Sequence, residues 1–241
     1  MTAREMHYDF KQKLNKIDSE KYRNLLVPEI DWKLNEAQEV FVKSIAEPRV
    51  AGSTGFETSQ RTIEDIQSVV KDQTLSAGNC IAPTLYDVNK YLVPLPDDYW
   101  FHIKSCVYAD SGACLLKKMS TVKRAHDDLH EWSPFDRSSF LWRECNVEFN
   151  QDGMVLFTDG TFIPKWFCLS YIRVPRKIWN AQDYQGGEYL DLQGNMLTGS
   201  QDCELPDVTH REIVDIAVLI TTGDLQIPDY SIKLNKLKLT N

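Results

Sequence analysis

Long hydrophobic runs are missing from this sequence: no window approaches the roughly 18 consecutive apolar residues that a membrane-spanning helix needs. The opening stretch, MTAREMHYDFKQKLNK, carries a charge every few residues and no apolar segment, so neither a secretory leader nor an anchor is expected. The six cysteines (80, 106, 114, 145, 168 and 203) never come as Cys-x-x-Cys, which removes the usual zinc-ribbon and redox spacings. Several fall inside strand-like runs, the usage expected of reduced thiols in a protein made in a cytosol. Gly-x-Gly-x-x-Gly is absent, and neither Gly186-Gly187 nor the GSTG at 52–55 leads into the Lys-Ser/Thr of a phosphate-binding loop. No serine stands in a Gly-x-Ser-x-Gly elbow. Basic residues are the minority, 27 against 35 acidic for a net charge of −8. That balance argues against a surface gripping nucleic-acid backbone, which requires clustered Lys and Arg.

What remains is an ordinary soluble composition, 42% hydrophobic over 241 residues, sufficient for one large domain or two small ones. The first third has helical periodicity. Thr2 is placed to cap a helix with Met6, Phe10, Leu14 and Ile17 on one stripe, and Pro28 suits the first turn of a second with Ile30, Leu34, Ala37, Phe41 and Ile45. Thr62 and Asp65 predict a third helix start, with Ile63, Ile66, Val69 and Val70 as its apolar face.

From about Tyr86 the period becomes two. DDYWFHIKSCVY alternates Tyr99, Phe101 and Ile103 against Trp100, His102 and Lys104, and ACLLKKMSTVKR follows after a turn at ADSG. RECNVEFNQDGMVLFTDGTF contains two turn dipeptides, Asp152-Gly153 and Asp159-Gly160, with Cys145, Val147 and Phe149 on one face. KWFCLSYIRVP predicts another strand stopped by Pro175, and GEYLDLQGNMLTG a small hairpin turning near Gly194-Asn195. The sum is an antiparallel sheet of roughly five to seven strands. A capping box at Thr209 and Glu212 then predicts a helix over 210–222, closed by Gly223. Its interior, IVDIAVLI, is apolar on nearly every side except Asp215, so it should be enclosed on two faces.

The fold class is therefore α+β: an N-terminal helical bundle, an antiparallel β-sheet or sandwich, a late packing helix and an extended C-terminal tail. The divisions are a helical region at 1–75, an antiparallel β region at 76–204, a helix at 205–223 packing on both, and a tail at 224–241. Together they form one integrated domain with an extension.

Candidate chemistry is sparse. His126 and His130 have the four-residue spacing of zinc hydrolases, but Asp127 stands where the base Glu belongs, and Ser133-Pro134 ends the helical run early. A short polar connecting helix with Leu129 and Trp132 turned inward accounts for the segment, so no metal and no cofactor is expected. A metal-dependent hydrolase using His126, Asp127 and His130 is one alternative. A monomeric β-rich ligand-binding module using Tyr99, Trp100, Phe101, Trp166 and Phe167 is another. Asp207, His210 and Cys203 lie close in sequence, but the capping box already explains them. The interface expected on the late helix and tail comprises Ile213, Ile216, Val218, Leu219, Tyr230, Ile232 and Leu234. Arg173, Arg176 and Lys177 form a small basic cluster: a solvated strand end, or a contact to an acidic neighbour or passing DNA.

The order EIDWKLNEAQEVFVKS, GFETSQRTIEDIQSVV, LPDDYW, HDDLHEWSPFD, LSYIRVPRKI and CELPDVTHREIVDIAV resembles the ring or head-to-tail connector structural proteins of crAss-like short-tailed phages. More remotely it is similar to the tail-tube gatekeeper adaptors of other short-tailed phages. The similarity spans about residues 28 to 223 and rests on order and spacing rather than on one motif. It implies a non-enzymatic virion subunit in the neck or tail, assembled in the bacterial host cytoplasm. The implied partners are further copies in a ring, a dodecamer in many such adaptors, with the portal and other ring or tail proteins above and below. DNA would pass through the lumen without specific binding, and no membrane is involved.

Overall fold

The computed structural model describes residues 1–15, 25–46, 64–76, 82–83, 89–112, 116–123, 135–151 and 153–224. The architecture is α+β, as expected, and the chain divides into two units. Met1–Val69 and Pro175–Asn241 make a helical unit; Val70–Val174 make a β unit.

In the helical unit, Thr2 and Glu5 form a reciprocal cap: the Glu5 backbone N–H donates to Thr2 Oγ1 at 3.3 Å and the Thr2 N–H to Glu5 Oε2 at 2.9 Å. This starts α1 (Ala3–Asn15), whose buried stripe is Ala3, Met6, Phe10 and Leu14; Ile17 lies outside the described residues. α2 (Val27–Ala46) buries Val27, Ile30, Leu34, Ala37, Phe41 and Val42. α3 (His210–Asp224) buries Ile213, Val214, Ala217 and Val218 and packs against both α1 and α2. Each fully buried Val, Leu, Ile, Met or Phe among these contributes about 1.5–3 kcal/mol relative to exposure. Two buried hydroxyls of α3 are satisfied inside the helix, Thr221 donating to Ala217 O and Thr222 to Val218 O.

Two helix ends differ from expectation. The helix predicted through Val70 stops as a single turn, Gln67–Val69, and Val70 begins a strand. The β-branched Val70 serves extended pairing there, with Ile172 as its partner, while Val69 is buried at the end of the turn. α3 runs through Gly223 to Asp224, so Gly223 is no left-handed cap; Lys33 Nζ, 2.5 Å from Asp224 Oδ2, ties down the last turn instead.

The β unit has an eight-stranded sheet: β1 (Val70–Ser76), β2 (Ala82–Pro83), β3 (Lys90–Val93), β4 (Tyr99–Asp110), β5 (Leu116–Lys123), β6 (Glu144–Asn150), β7 (Gly153–Phe157) and β8 (Ile163–Arg173). Their order is β1-β8-β4-β5-β6-β7-β3-β2, all neighbours antiparallel except the parallel pair β5/β6. The expected five to seven antiparallel strands thus become eight with one parallel pair. The sheet curls so that one face from β1 and β3 through β8 meets in a single core of Leu75, Val93, Val107, Met119, Val147 and Phe167, among others. Cys145 and Val147 face that core, with Phe149 packed at its margin.

The strict alternation predicted for the start of β4 is broken by register shifts between Tyr99 and Phe101 and between His102 and Lys104. Such bulges bend a strand, which a closing sheet requires. Gly153 opens β7 at φ +144°, and a Cβ there would lie 2.4 Å from Val93 O, so only glycine fits.

Four short strands complete the helical unit: β9 (Trp179–Asn180) pairs with β12 (Ser200–Gln201), and β10 (Glu188–Leu190) with β11 (Met196–Thr198). The β10–β11 hairpin turns where predicted. Asp191 Oδ1 accepts the Gln193 and Asn195 N–H groups, and these bonds hold its carboxyl below the usual range.

Candidate functional site

Among the described residues, a dense polar constellation stands in the helical unit, and sequence reasoning missed it. Asp31, Asn35 and Gln38 lie along one stripe of α2 at spacings of four and three, beside the apolar stripe that positions them. Asp31 is only 3% exposed. Its Oδ1 lies 2.6 Å from His7 Nε2 of α1, while Oδ2 accepts the Asn180 N–H at 3.2 Å and the Tyr189 hydroxyl at 2.5 Å. Asn35 acts like a strand neighbour: its Nδ2 donates to Ile178 O at 2.8 Å, and the Ile178 N–H donates to its Oδ1 at 2.7 Å. Gln38 Nε2 donates to Arg176 O at 3.2 Å. The signal available in the sequence was three short hydrogen-bonding side chains at helical spacing among buried positions.

Chemically this cluster positions rather than reacts. Burial, then the Asp31 carboxylate, push the Tyr189 hydroxyl far above its ordinary range, so it stays a donor. The carboxylate is enclosed and saturated with partners from α1, β9 and β10, a clip that fixes segment 176–190 on α2.

The Cys203, Asp207 and His210 group has no activated nucleophile. Burial pushes the Cys203 thiol up to about 11, and His210 Nε2 is occupied by Leu205 O at 2.8 Å. Among the described residues, no group of three or more His, Cys, Asp or Glu is arranged to hold a metal ion. Residues 124–134, with His126, Asp127, Leu129, His130 and Trp132, lie outside the described residues. The aromatic strand residues divide between faces: Phe167 is in the core, Trp166 is exposed, and Tyr99 stands 5.7 Å from Tyr171 and 6.3 Å from Phe149. No described helix is long and apolar enough to cross a membrane.

Large apolar side chains nonetheless face solvent in each unit. In the β unit, the connection entering β6 exposes Phe135 at 95% and Leu141 and Trp142 at 77% each. Arg143, at φ +59°, follows them, and its carbonyl accepts the Ser120 N–H at 2.8 Å, so the exposed end is anchored. In the helical unit, the β10–β11 hairpin exposes Leu190, Leu192 and Met196. Trp32 and Pro28 of α2 line a separate hollow of about 360 Å³ with Leu25, Lys33 and Thr221. Clusters of this kind on a folded surface mark contact with other macromolecules.

Of the expected interface residues, Ile213 and Val218 are buried within the chain's own helical unit, and Ile216 and Leu219 are half-buried. Tyr230, Ile232 and Leu234 lie outside the described residues. Arg173 ends β8, half-buried, with Nη1 donating to Val174 O at 3.3 Å. In the helical unit, Arg176 and Lys177 are exposed, Arg176 Nε lying 3.8 Å from Glu204 Oε2 and Lys177 Nζ donating to Gln193 Oε1 at 2.8 Å.

Inside the helical unit the polar cluster holds segments of the chain together, while in each unit bulky apolar side chains face solvent. The family is shown by sequence: a model of the phage tail ring protein 3/4 family matches residues 1–226, and the chain belongs to that family. It is also 25% identical over 242 residues to Ring protein 4/5 of Bacteroides phage crAss001, a match covering 94% of this chain and 96% of that protein. The resemblance to crAss-like phage ring proteins is thereby established, and the chain is a structural ring protein of the virion.

Proposed function

We propose that this chain is one subunit of a closed, twelvefold ring in the neck of a short-tailed phage, stacked between portal and tail around the channel through which DNA leaves. The family match along residues 1–226 carries this reading. A ring closes through heterologous contacts, so each subunit needs two different surfaces. The Phe135–Trp142 connection in the β unit and the Leu190–Met196 hairpin in the helical unit are two such surfaces, each presenting three large apolar side chains. Ile216 and Leu219 at the rim of α3, and Tyr230, Ile232 and Leu234 of the tail, extend the proposed contact to neighbours in the stack.

The net charge of −8 suits a lumen along which DNA slides. Arg173, Arg176 and Lys177 are then contacts to an acidic neighbouring protein or to passing DNA. Assembly takes place in the host cytoplasm, and the work is architectural rather than enzymatic.

Mass photometry of the purified chain, alone and with its portal, tests the reading. With the portal present, a species heavier than the portal alone by about twelve times the 27.8 kDa chain mass is expected. Only the 27.8 kDa species at high concentration with portal present would refute it. Replacing Leu141 and Trp142 by Ser should remove the large species while leaving the circular dichroism spectrum unchanged.

A further inference from the structure

Cys106 of β4 and Cys168 of β8 are direct partners across the antiparallel ladder. Residues so opposed have Cα atoms about 4.5–5.5 Å apart and side chains on one face, within the separation that a disulfide bridges. Their neighbours Val107 and Phe167, themselves partners, are fully buried, so the two thiols point away from the core. Both are free and half-exposed, whereas Cys145 and Cys203 are buried. The pair sits in a row of small polar side chains running Thr74, Cys168, Cys106, Ser120 across β1, β8, β4 and β5, with the Thr74 hydroxyl donating to Cys168 Sγ at 3.6 Å. Among the described residues of that row, no side chain stands between the two thiols, which are adjacent ladder partners.

We propose that Cys106 and Cys168 are a modification site: a dithiol that forms a cross-strand disulfide when the folded chain meets a small-molecule disulfide oxidant such as oxidised glutathione. One protein thiol loses its proton and attacks the glutathione disulfide, giving a mixed disulfide and releasing one glutathione thiolate. The second protein thiol, deprotonated in turn, attacks the protein sulfur of that mixed disulfide and expels the other glutathione. The protein loses two electrons and two protons, and one glutathione disulfide becomes two glutathione thiols. The pair stays reduced in a reducing cytosol and closes outside it, where the virion spends its extracellular life. Burial, then the adjacent Cys168, hold the Cys106 thiol above its ordinary value, with Lys118 and Lys104 opposing. Closure therefore accelerates from neutral to mildly alkaline pH. Once formed, the bond staples two central strands and restricts the unfolded chain.

The test incubates the purified full chain with oxidised glutathione, alkylates the remaining thiols and maps peptides without reduction. The expected result is a linked Cys106–Cys168 peptide that disappears on reduction, with a higher urea midpoint for the oxidised protein. Cys168→Ser should abolish both and leave Cys106 as a mixed disulfide with glutathione; should that variant misfold, Cys106→Ser gives the reciprocal outcome. The proposal is overturned if both thiols remain alkylatable, if both stop as mixed disulfides, or if either links instead to Cys80, Cys114 or a second chain.

Discussion

Replacing Asp31 by Ala removes the carboxylate that joins α1, α2, β9 and β10. Three donors lose their acceptor at once: His7 Nε2 at 2.6 Å, the Tyr189 hydroxyl at 2.5 Å and the Asn180 N–H at 3.2 Å. Breaking a buried ionisable pair from one side costs about 3–5 kcal/mol, and each orphaned donor about 1–3 kcal/mol. These terms overlap, because the emptied space admits water to some donors, so the expected loss is about 4 kcal/mol. Against a domain stability of about 5–15 kcal/mol that is a large fraction. With a urea slope of about 2 kcal/mol per molar, the unfolding midpoint followed by far-ultraviolet circular dichroism should fall by about 2 M. Tyr189→Phe removes one donor and should lower it by about 0.5–1 M. His7→Ala in the Asp31→Ala background should cost much less than in the wild type, since the partner is already gone. A midpoint shift below about 0.5 M for Asp31→Ala would refute the view of this cluster as the clip that fixes segment 176–190.

Gly153→Ala places a Cβ 2.4 Å from Val93 O in a backbone conformation that disfavours side chains; about 2 kcal/mol should be lost, and calorimetry should show Tm lower by about 4–8 °C. Asp98 is opposed by burial but held below the usual carboxylate range by Lys71 and by the Tyr171 hydroxyl. Its stabilisation is therefore complete above the unfolded-chain value of about 3.9 and fades as pH falls through the folded value. Asp98→Asn should flatten the acid limb of a stability-against-pH curve, and an unchanged slope would contradict this. Val218→Asp puts a charge into a position 4% exposed between helices and should abolish soluble folded protein. Leu219→Asp, at the half-buried rim, should fold and lose only the ring species in mass photometry.

Much of the architecture was legible because the periodic signals were strong. Met6, Phe10 and Leu14, then Ile30, Leu34, Ala37 and Phe41, are the buried stripes of α1 and α2, and the hairpin around Asp191 forms where the Gly-Asn dipeptide indicated. Val69-Val70 misled because an apolar β-branched pair satisfies either period over so short a run. The parallel pairing of β5 with β6 is a long-range contact, which strand-by-strand alternation cannot encode. The Asp31 clip escaped notice because its partners, His7, Asn180 and Tyr189, are scattered along the chain and meet only after folding. On the surface, Phe135, Leu141 and Trp142 show no periodicity, and nothing in their spacing separates an exposed aromatic from a buried one.

The interruption of the helical unit by Val70–Val174 sets an order of events during translation. α1 and α2 leave the ribosome first, but α3, and the 176–178 backbone that Asn35 and Gln38 grip, emerge only after the whole β unit. At about 5–20 residues per second, the remaining stretch to Asp224 takes roughly 3–10 s more. Until then α1 and α2 lack the helix against which both pack, and the hairpin bearing Leu190 and Met196 is made only shortly before it. The nascent polypeptide thus completes the exposed apolar surface of its β unit, Phe135, Leu141 and Trp142, well before that of its helical unit, Leu190, Leu192 and Met196.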